Sequence, residues 1–232
     1  MDWLYNEFQQ TGKDYASQEE VDIYDPSHDD FRDLPQELDE AVNWIQPTLQ
    51  SRILDIGCGT GNFSLHFSQR CERLYALDIS PPMLALAQKK AAEKKRDNIE
   101  FVHAGYLTFE LPECSIHGLI SSLSLHHLPD FWKAIAMKRL FAVLAPGGKL
   151  YFHDVVIPDD YSEEAIQGFI DLQGERGGDF LREDTQIHFK EEYSTYDWIM
   201  RGLLQTAGFR ILKEKTRDRV LKTYYCEKPH EL

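Results

Sequence analysis

A glycine-rich turn follows a short aliphatic run in the stretch RILDIGCGTGNFS. Gly57, Gly59 and Gly61 recur at every second position, and Asp55 stands two residues before the first of them. Glycine permits positive φ angles and lets a ligand approach the backbone closely. A helix that starts directly after such a turn directs unpaired N–H groups at the bound molecule. The turn therefore predicts a binding site for a nucleotide-like ligand.

A second carboxylate fits the same ligand class. Asp78 ends the next predicted strand, and an acidic side chain at that point can accept hydrogen bonds from both hydroxyls of a ribose. The dinucleotide-binding fingerprint is G-x-G-x-x-G, whereas the third glycine here comes one residue early. A nicotinamide-dependent oxidoreductase remains an alternative, and this spacing counts against it.

The elements that position these residues form a repeating pattern. Apolar runs typical of buried strands alternate with helical patterns, and a PGG turn, Pro146 to Gly148, is predicted to stop the helix that begins near Asp130. Such alternation predicts an α/β fold, a Rossmann-like doubly wound, mostly parallel sheet with helices on both faces. The five predicted strands are RILDI, RLYALDI, IEFVHA, HGLISSLSL and KLYFHDVVI.

The flanking segments have other patterns, within what we expect to be one domain over residues 1–232. We predict an N-terminal flap at 1–33, a cofactor-binding core at 34–157, a helical cap insertion at 158–197, and a terminal helix and antiparallel strand pair at 198–232. The helical pattern DLPQELDEAVNWI opens the core, with Asp33 as its predicted N-cap. The cap is expected to contain one or two polar helices around GERGGD.

Composition excludes several classes of protein. The net charge is −14, and the acidic side chains concentrate in residues 1–40 and 158–197, which argues against a nucleic-acid partner. No apolar stretch reaches the roughly 18 residues of a membrane span, and the acidic start is unlike a signal peptide. Four scattered cysteines indicate a reduced, cytoplasmic setting and predict no metal site. The oligomeric state stays open.

Four stretches in order resemble a known family. LDIGCGTGNF, LDISPPMLALA, SLHHLPDFWKAI and LAPGGKLYFHD together resemble the class I S-adenosylmethionine-dependent methyltransferases, over about Leu34 to Lys228. HAGYLTFELP and HFKEEYSTYDWIMRGLLQTAGF resemble a bacterial subgroup of uncharacterised methyltransferases. The resemblance implies a seven-stranded sheet with an antiparallel last strand, S-adenosylmethionine as cofactor, and methyl transfer to an acceptor. A non-catalytic S-adenosylmethionine-binding protein on this fold is the alternative.

The resemblance also implies a set of cofactor-binding residues. In the family an aspartate commonly follows strand three and accepts from the adenine amino group, but this chain has Ala104-Gly105-Tyr106, where a backbone N–H or the tyrosine ring would have to serve. Tyr24 and His28 are expected to act in a flap over the cofactor. The full predicted set is Asp55, Gly57, Cys58, Gly59, Gly61, Asp78, Ile79, Met83, Gly105, Tyr106, Ser122, Leu123, Tyr24 and His28.

Methyl transfer chiefly requires alignment of the acceptor with the methyl carbon, and a general base helps only when the acceptor arrives protonated. The candidate catalytic residues are His126, His127, His153 and Tyr193. Asp154, His188 and Glu191 are further polar groups near them, although the Glu191-Glu192 pair is equally typical of a solvated helix surface. The two acidic segments favour a small neutral or cationic acceptor.

Overall fold

The computed structural model describes residues 3–9 and 32–230. Besides two short 3-10 turns, at Ser68–Arg70 and Leu125–His127, the described residues form these helices and strands: α1 (Leu34–Ile45), β1 (Arg52–Ile56), α2 (Asn62–Phe67), β2 (Arg73–Asp78), α3 (Pro81–Glu93), β3 (Ile99–His103), β4 (Ile116–Ser122), α4 (Asp130–Val143), β5 (Leu144–Ile157), α5 (Ser162–Glu191), β6 (Thr195–Tyr196), α6 (Asp197–Ala207), β7 (Arg210–Arg217) and β8 (Leu221–Glu227). The Asp33 side chain accepts from the Gln36 N–H at 3.1 Å, which confirms the predicted N-cap of α1.

The sheet has the strand order β3-β2-β1-β4-β5-β8-β7. Neighbouring strands from β3 to β5 are parallel, and β8 runs antiparallel to both β5 and β7. The predicted doubly wound sheet with an antiparallel last strand is therefore confirmed. An eighth strand, the two-residue β6, pairs with β5 outside this order and was not predicted. The order reverses between β1 and β4, and ligands of open α/β sheets bind at such a point.

Side chains of β1 alternate between two hydrophobic cores, one on each face of the sheet. Leu54 and Ile56 pack with apolar residues of α4 and α6, such as Leu140 and Leu204. Ile53 packs on the opposite face with apolar residues of α1, α2 and α3. Because successive strand residues point to opposite faces, one short buried run anchors helices on both sides of the sheet.

The predicted role of the PGG turn is wrong. Helix α4 ends at Val143, and Pro146 to Gly148 lie inside β5, where the ladder to β4 is irregular between the pairs Ile116–Leu144 and Gly118–Lys149. The helix ends before the proline because Leu144 already pairs with β4. The turn residues then form a bulge, in which the Gly147 N–H donates to the Lys228 carbonyl at 2.8 Å.

Within the cap, non-helical backbone at Gly177 and Gly178 divides α5 into two helical halves, as the sequence predicted around GERGGD. The end of the cap returns to the carboxyl ends of the central strands. There β6 pairs with the end of β5, and the Tyr193 N–H donates to the His126 carbonyl at 2.8 Å. No helix within 3–9 and 32–230 is long and apolar enough to cross a membrane.

Candidate active site

A cavity opens at the carboxyl ends of β1, β2, β3 and β4, where the strand order reverses. It encloses about 820 Å³, including its open mouth. Loops after these four strands, the start of α3 and the N-terminal segment 3–9 contribute its walls. The lining residues are Glu7, Gln9, Gly57, Gly59, Asp78, Ile79, Met83, Ala104, Gly105, Tyr106, Leu123, Ser124, His127 and Leu128.

The glycine turn after β1 forms one wall of the cavity. Glycine is required at two of its positions for different physical reasons. Gly57 and Gly59 both have positive φ, +69° and +52°. A Cβ on Gly57 would collide with the Ser124 side chain, so packing requires glycine there. A Cβ on Gly59 would meet nothing within 4 Å, because this part of the backbone faces open space. A ligand can therefore lie directly against the Gly59 backbone.

The Asp78 carboxylate stands beside this turn at the end of β2. Its Oδ2 accepts from the Gly59 N–H and its Oδ1 from the Ser80 N–H, both at 2.8 Å. Burial raises the pKa of Asp78, while these backbone hydrogen bonds oppose the rise. A carboxylate accepts about four hydrogen bonds. The Gly59 and Ser80 amides do not use all of this capacity, so the carboxylate can accept further from the cavity, as the hydroxyls of a ribose would require.

The N-terminal segment 3–9 brings a carboxylate to the opposite end of the cavity. Trp3 stacks on Trp132 with ring centroids 5.8 Å apart, which seats the segment on α4. The Glu7 side chain, in a residue only 5% exposed, accepts from the Leu107 N–H at 3.0 Å and from the Thr108 hydroxyl at 2.7 Å. Glu7 therefore lies beside the loop after β3, where the sequence has no aspartate. No sequence signal identified this residue, because residues 1–33 show no clear periodicity.

A buried cluster of histidines and carboxylates adjoins the cavity at His127. His126 Nδ1 lies 2.5 Å from Asp154 Oδ1, and His126 Nε2 lies 3.3 Å from Glu192 Oε2. His188 Nδ1 lies 2.5 Å from the same Glu192 oxygen. Burial lowers the pKa of His126, but Asp154 and Glu192 outweigh it and leave that pKa raised. Burial also lowers the pKa of His127, to about 4, with the neighbouring His126 acting in the same direction.

The structure places eight predicted cofactor-binding residues on the cavity wall: Gly57, Gly59, Asp78, Ile79, Met83, Gly105, Tyr106 and Leu123. A backbone N–H after β3 was expected to serve in place of the family's aspartate, but the Gly105 N–H donates to the Thr108 hydroxyl at 3.0 Å. The Tyr106 hydroxyl bonds to Ser121 and Ser124 at 2.7 and 2.6 Å.

Four other predicted cofactor-binding residues lie off the wall: Asp55, Cys58, Gly61 and Ser122. Asp55 is buried behind the turn, where it accepts from the Ser64 hydroxyl at 2.5 Å, and burial raises its pKa to about 7. Ser122 accepts instead from the Arg32 guanidinium at 3.1 Å. Tyr24 and His28 lie outside the described residues.

Among the candidate catalytic side chains, His127 is on the cavity wall and the others are not. His126 lies behind it, and His153 is buried further away, 2.9 Å from the Thr223 hydroxyl. Tyr193 is 36% exposed and contacts the site through its main chain. The Glu191-Glu192 pair is divided: the Glu191 side chain is 44% exposed, but that of Glu192 is only 4% exposed, so the interpretation as solvated surface is wrong for Glu192.

Comparison with known proteins identifies the family. Residues 53–148 match a family model described as a methyltransferase domain. An uncharacterized methyltransferase of Geobacillus kaustophilus is 30% identical over 189 residues, which cover 82% of this chain and 81% of that protein. The chain belongs to the methyltransferase family. The methyltransferase shares its fold with an S-adenosylmethionine-dependent methyltransferase from Aquifex aeolicus, at a TM-score of 0.64 and 18% identity over 91% of this chain and 98% of the other.

A second solved structure shares the fold. It is an N-methyltransferase of Haemonchus contortus in complex with phosphomonomethylethanolamine and S-adenosylhomocysteine, with a TM-score of 0.66 and 16% identity over 86% of this chain and 44% of that one. The methyltransferase domain and the shared fold support S-adenosylmethionine, the cofactor that the sequence predicted. The residues present fit this group, because the Gly59 backbone faces open space and Asp78 has acceptor capacity beside it. The oxidoreductase and the non-catalytic alternatives are not favoured.

Proposed function

We propose that the methyltransferase transfers the methyl group of S-adenosylmethionine to a small neutral or cationic acceptor. The observation that carries this proposal is the charge of the cavity wall. Its charged lining residues are Glu7 and Asp78, and the described lining includes no lysine or arginine. A phosphorylated or polyanionic acceptor would have to leave water for a cavity whose described lining offers no basic side chain to offset its charge.

The cofactor would occupy the wall formed by the glycine turn and the end of β2. In this arrangement the backbone at Gly57 and Gly59 contacts the methionine part, Asp78 accepts from the ribose hydroxyls, and Ile79 and Met83 pack on the adenine. Glu7 would take the place of the family's aspartate, because its carboxylate stands beside Gly105 and the Leu107 N–H at that end of the cavity. When bound, S-adenosylmethionine supplies an electrophilic methyl group on a positively charged sulfur.

The acceptor would enter beside the loop after β4. Leu123, Ser124 and His127 form that part of the wall, and Ser124 lies next to the glycine turn, where the methionine part would bind. His127 is the candidate for direct contact with the acceptor, since its ring is the imidazole on the wall. Holding the acceptor in line with the methyl carbon can supply much of the rate acceleration. Of the predicted catalytic residues, His126 would act on the acceptor through His127.

A panel of acceptors in matched pairs tests the proposal. Each pair compares an amine, thiol or phenol with a counterpart of similar size that carries a phosphate group elsewhere in the molecule. The measurement is formation of S-adenosylhomocysteine. We expect kcat/KM to be at least about 10-fold higher for the neutral or cationic member of any pair that reacts, since a buried unpaired charge opposes binding. Turnover confined to phosphorylated or polyanionic members would contradict the proposal.

A further inference from the structure

The buried cluster beside the cavity contains three side chains of the types that bind metal ions. His126 belongs to the turn after β4, whereas His188 and Glu192 come from the end of α5 and the residue after it. One possible ligand atom from each of the three lies within 4.8 Å of the other two. The Tyr193 N–H holds the two segments together through the His126 carbonyl. The cluster is therefore fixed by the main chain and not by a chance approach of surface side chains.

The distances suit a single small cation. His126 Nε2 and His188 Nδ1 lie 3.3 and 2.5 Å from Glu192 Oε2. Ligands held at about 2.0–2.2 Å from one tetrahedral Zn²⁺ lie roughly 3.3–3.5 Å from one another. The His126–Glu192 distance already matches two ligands of one ion, and the His188 and Glu192 atoms would have to move roughly 1 Å further apart to share it.

The nitrogens that face away from this point also have partners. His126 Nδ1 contacts Asp154 Oδ1 at 2.5 Å, and Asp154 is itself fixed by the Val155 N–H at 2.8 Å. His188 Nε2 contacts the Ser194 hydroxyl at 2.7 Å. Metal-binding histidines usually have this arrangement, in which a carboxylate or other oxygen orients the ring and fixes its tautomer. Both imidazoles thus present their remaining nitrogen to the same space.

The charge of the cluster favours a cation. Asp154 and Glu192 bring two buried carboxylates to neighbouring histidines, while the nearby Lys133 ammonium is paired with Asp130 at 2.9 Å. Burying carboxylates is costly unless positive charge accompanies them. A metal ion would supply that positive charge between the imidazole nitrogens and the Glu192 carboxylate.

We propose that His126, His188 and Glu192 form a binding site for a divalent transition-metal ion of the Zn²⁺ type. Two imidazoles and one carboxylate suit such an ion better than Mg²⁺ or Ca²⁺, which prefer oxygen ligands. The site adjoins the cavity, since the His126 and His127 rings lie 4.4 Å apart between centroids and His127 is on the cavity wall. The sequence predicted no metal site because its four cysteines are scattered along the chain. The proposal does not depend on the class of acceptor.

The test is a Zn²⁺ titration of the full chain after treatment with a chelator, with a chromophoric chelator as competitor. We expect about one high-affinity Zn²⁺ per chain, and a loss of at least 10-fold in affinity for both Glu192→Gln and His188→Gln. The matched control is Glu191→Gln, the same change one residue earlier, because the Glu191 side chain is 44% exposed and pairs with Lys190 at 3.9 Å. That variant is expected to bind Zn²⁺ as the wild type does.

Absorption of the Co²⁺-loaded wild-type protein gives a readout that requires no variant to fold. Nitrogen and oxygen ligands predict visible d–d bands without an intense thiolate charge-transfer band. The proposal is overturned if the wild-type chain binds no stoichiometric Zn²⁺, if both ligand variants bind it as tightly as the wild type, or if the Co²⁺ spectrum shows thiolate ligation.

Discussion

Asp78→Asn is expected to weaken the binding of S-adenosylhomocysteine by about 10- to 100-fold. The substitution keeps the size of the side chain but removes the negative charge that would accept from the ribose hydroxyls. Hydrogen bonds to charged groups contribute about 1.5–3 kcal/mol, and each 1.4 kcal/mol corresponds to about tenfold in affinity. Isothermal titration of wild type and variant measures the difference directly.

The variant also disturbs a backbone contact, so loss of stability must be separated from loss of binding. One amide oxygen cannot replace both carboxylate oxygens that accept from Gly59 and Ser80. The control is Asp197→Asn, which disrupts an ion-pair network with Arg201 and Lys222 remote from the cavity wall. We expect Asp197→Asn to lower Tm without a change in affinity. An Asp78→Asn protein that binds the ligand within twofold of wild type would refute the assignment of Asp78.

Gly59→Ala is expected to reduce the affinity for S-adenosylhomocysteine by at least 10-fold, while the free protein keeps its packing and loses only the backbone cost of the substitution. The new methyl group meets no protein atom within 4 Å, so packing in the free protein is unaffected. The positive φ of +52° adds a backbone cost of about 1–2 kcal/mol for a residue with a Cβ. The larger effect falls on the complex, because the Cβ projects into the space where the ligand would contact the backbone. Thermal unfolding and ligand titration of the same preparation separate the two effects.

Gly178→Ala is the matched control for this prediction. Gly178 also has a positive φ, +67°, and also has no atom within 4 Å of a built Cβ, but it lies at the break in α5 and not on the cavity wall. We expect it to lose stability by at least as much as Gly59→Ala and to bind the ligand normally. Equal affinity in the two variants would show that Gly59 has no special contact with the cofactor.

Much of the fold follows from local patterns in the sequence. The strand RILDI has apolar side chains on both of its faces because β1 is covered by helices on both faces, and strands of this kind predict a parallel sheet. Features that depend on distant pairing were not predictable. The PGG segment enters β5 because Leu144 pairs with Ile116, and β6 exists only because the cap returns to the end of β5.

In the candidate site, too, residues in local motifs were predictable and residues positioned by distant contacts were not. Gly57, Gly59 and Asp78 lie on the cavity wall where their motif spacing placed them, since the turn and the strand that carry them are neighbours in the sheet. Glu7 contacts Leu107 across 100 positions of the chain, and no local pattern encodes such a contact. Glu192 likewise has a sequence context typical of a helix surface. It is buried only because the cap folds back onto His126.

The most direct test of this account is a crystal structure of the full chain with S-adenosylhomocysteine. We predict that the ligand lies against the Gly59 backbone, that both ribose hydroxyls are within hydrogen-bonding distance of the Asp78 carboxylate, and that the Glu7 carboxylate faces the adenine amino group. A ligand bound outside this cavity, or one whose ribose does not contact Asp78, would contradict the account.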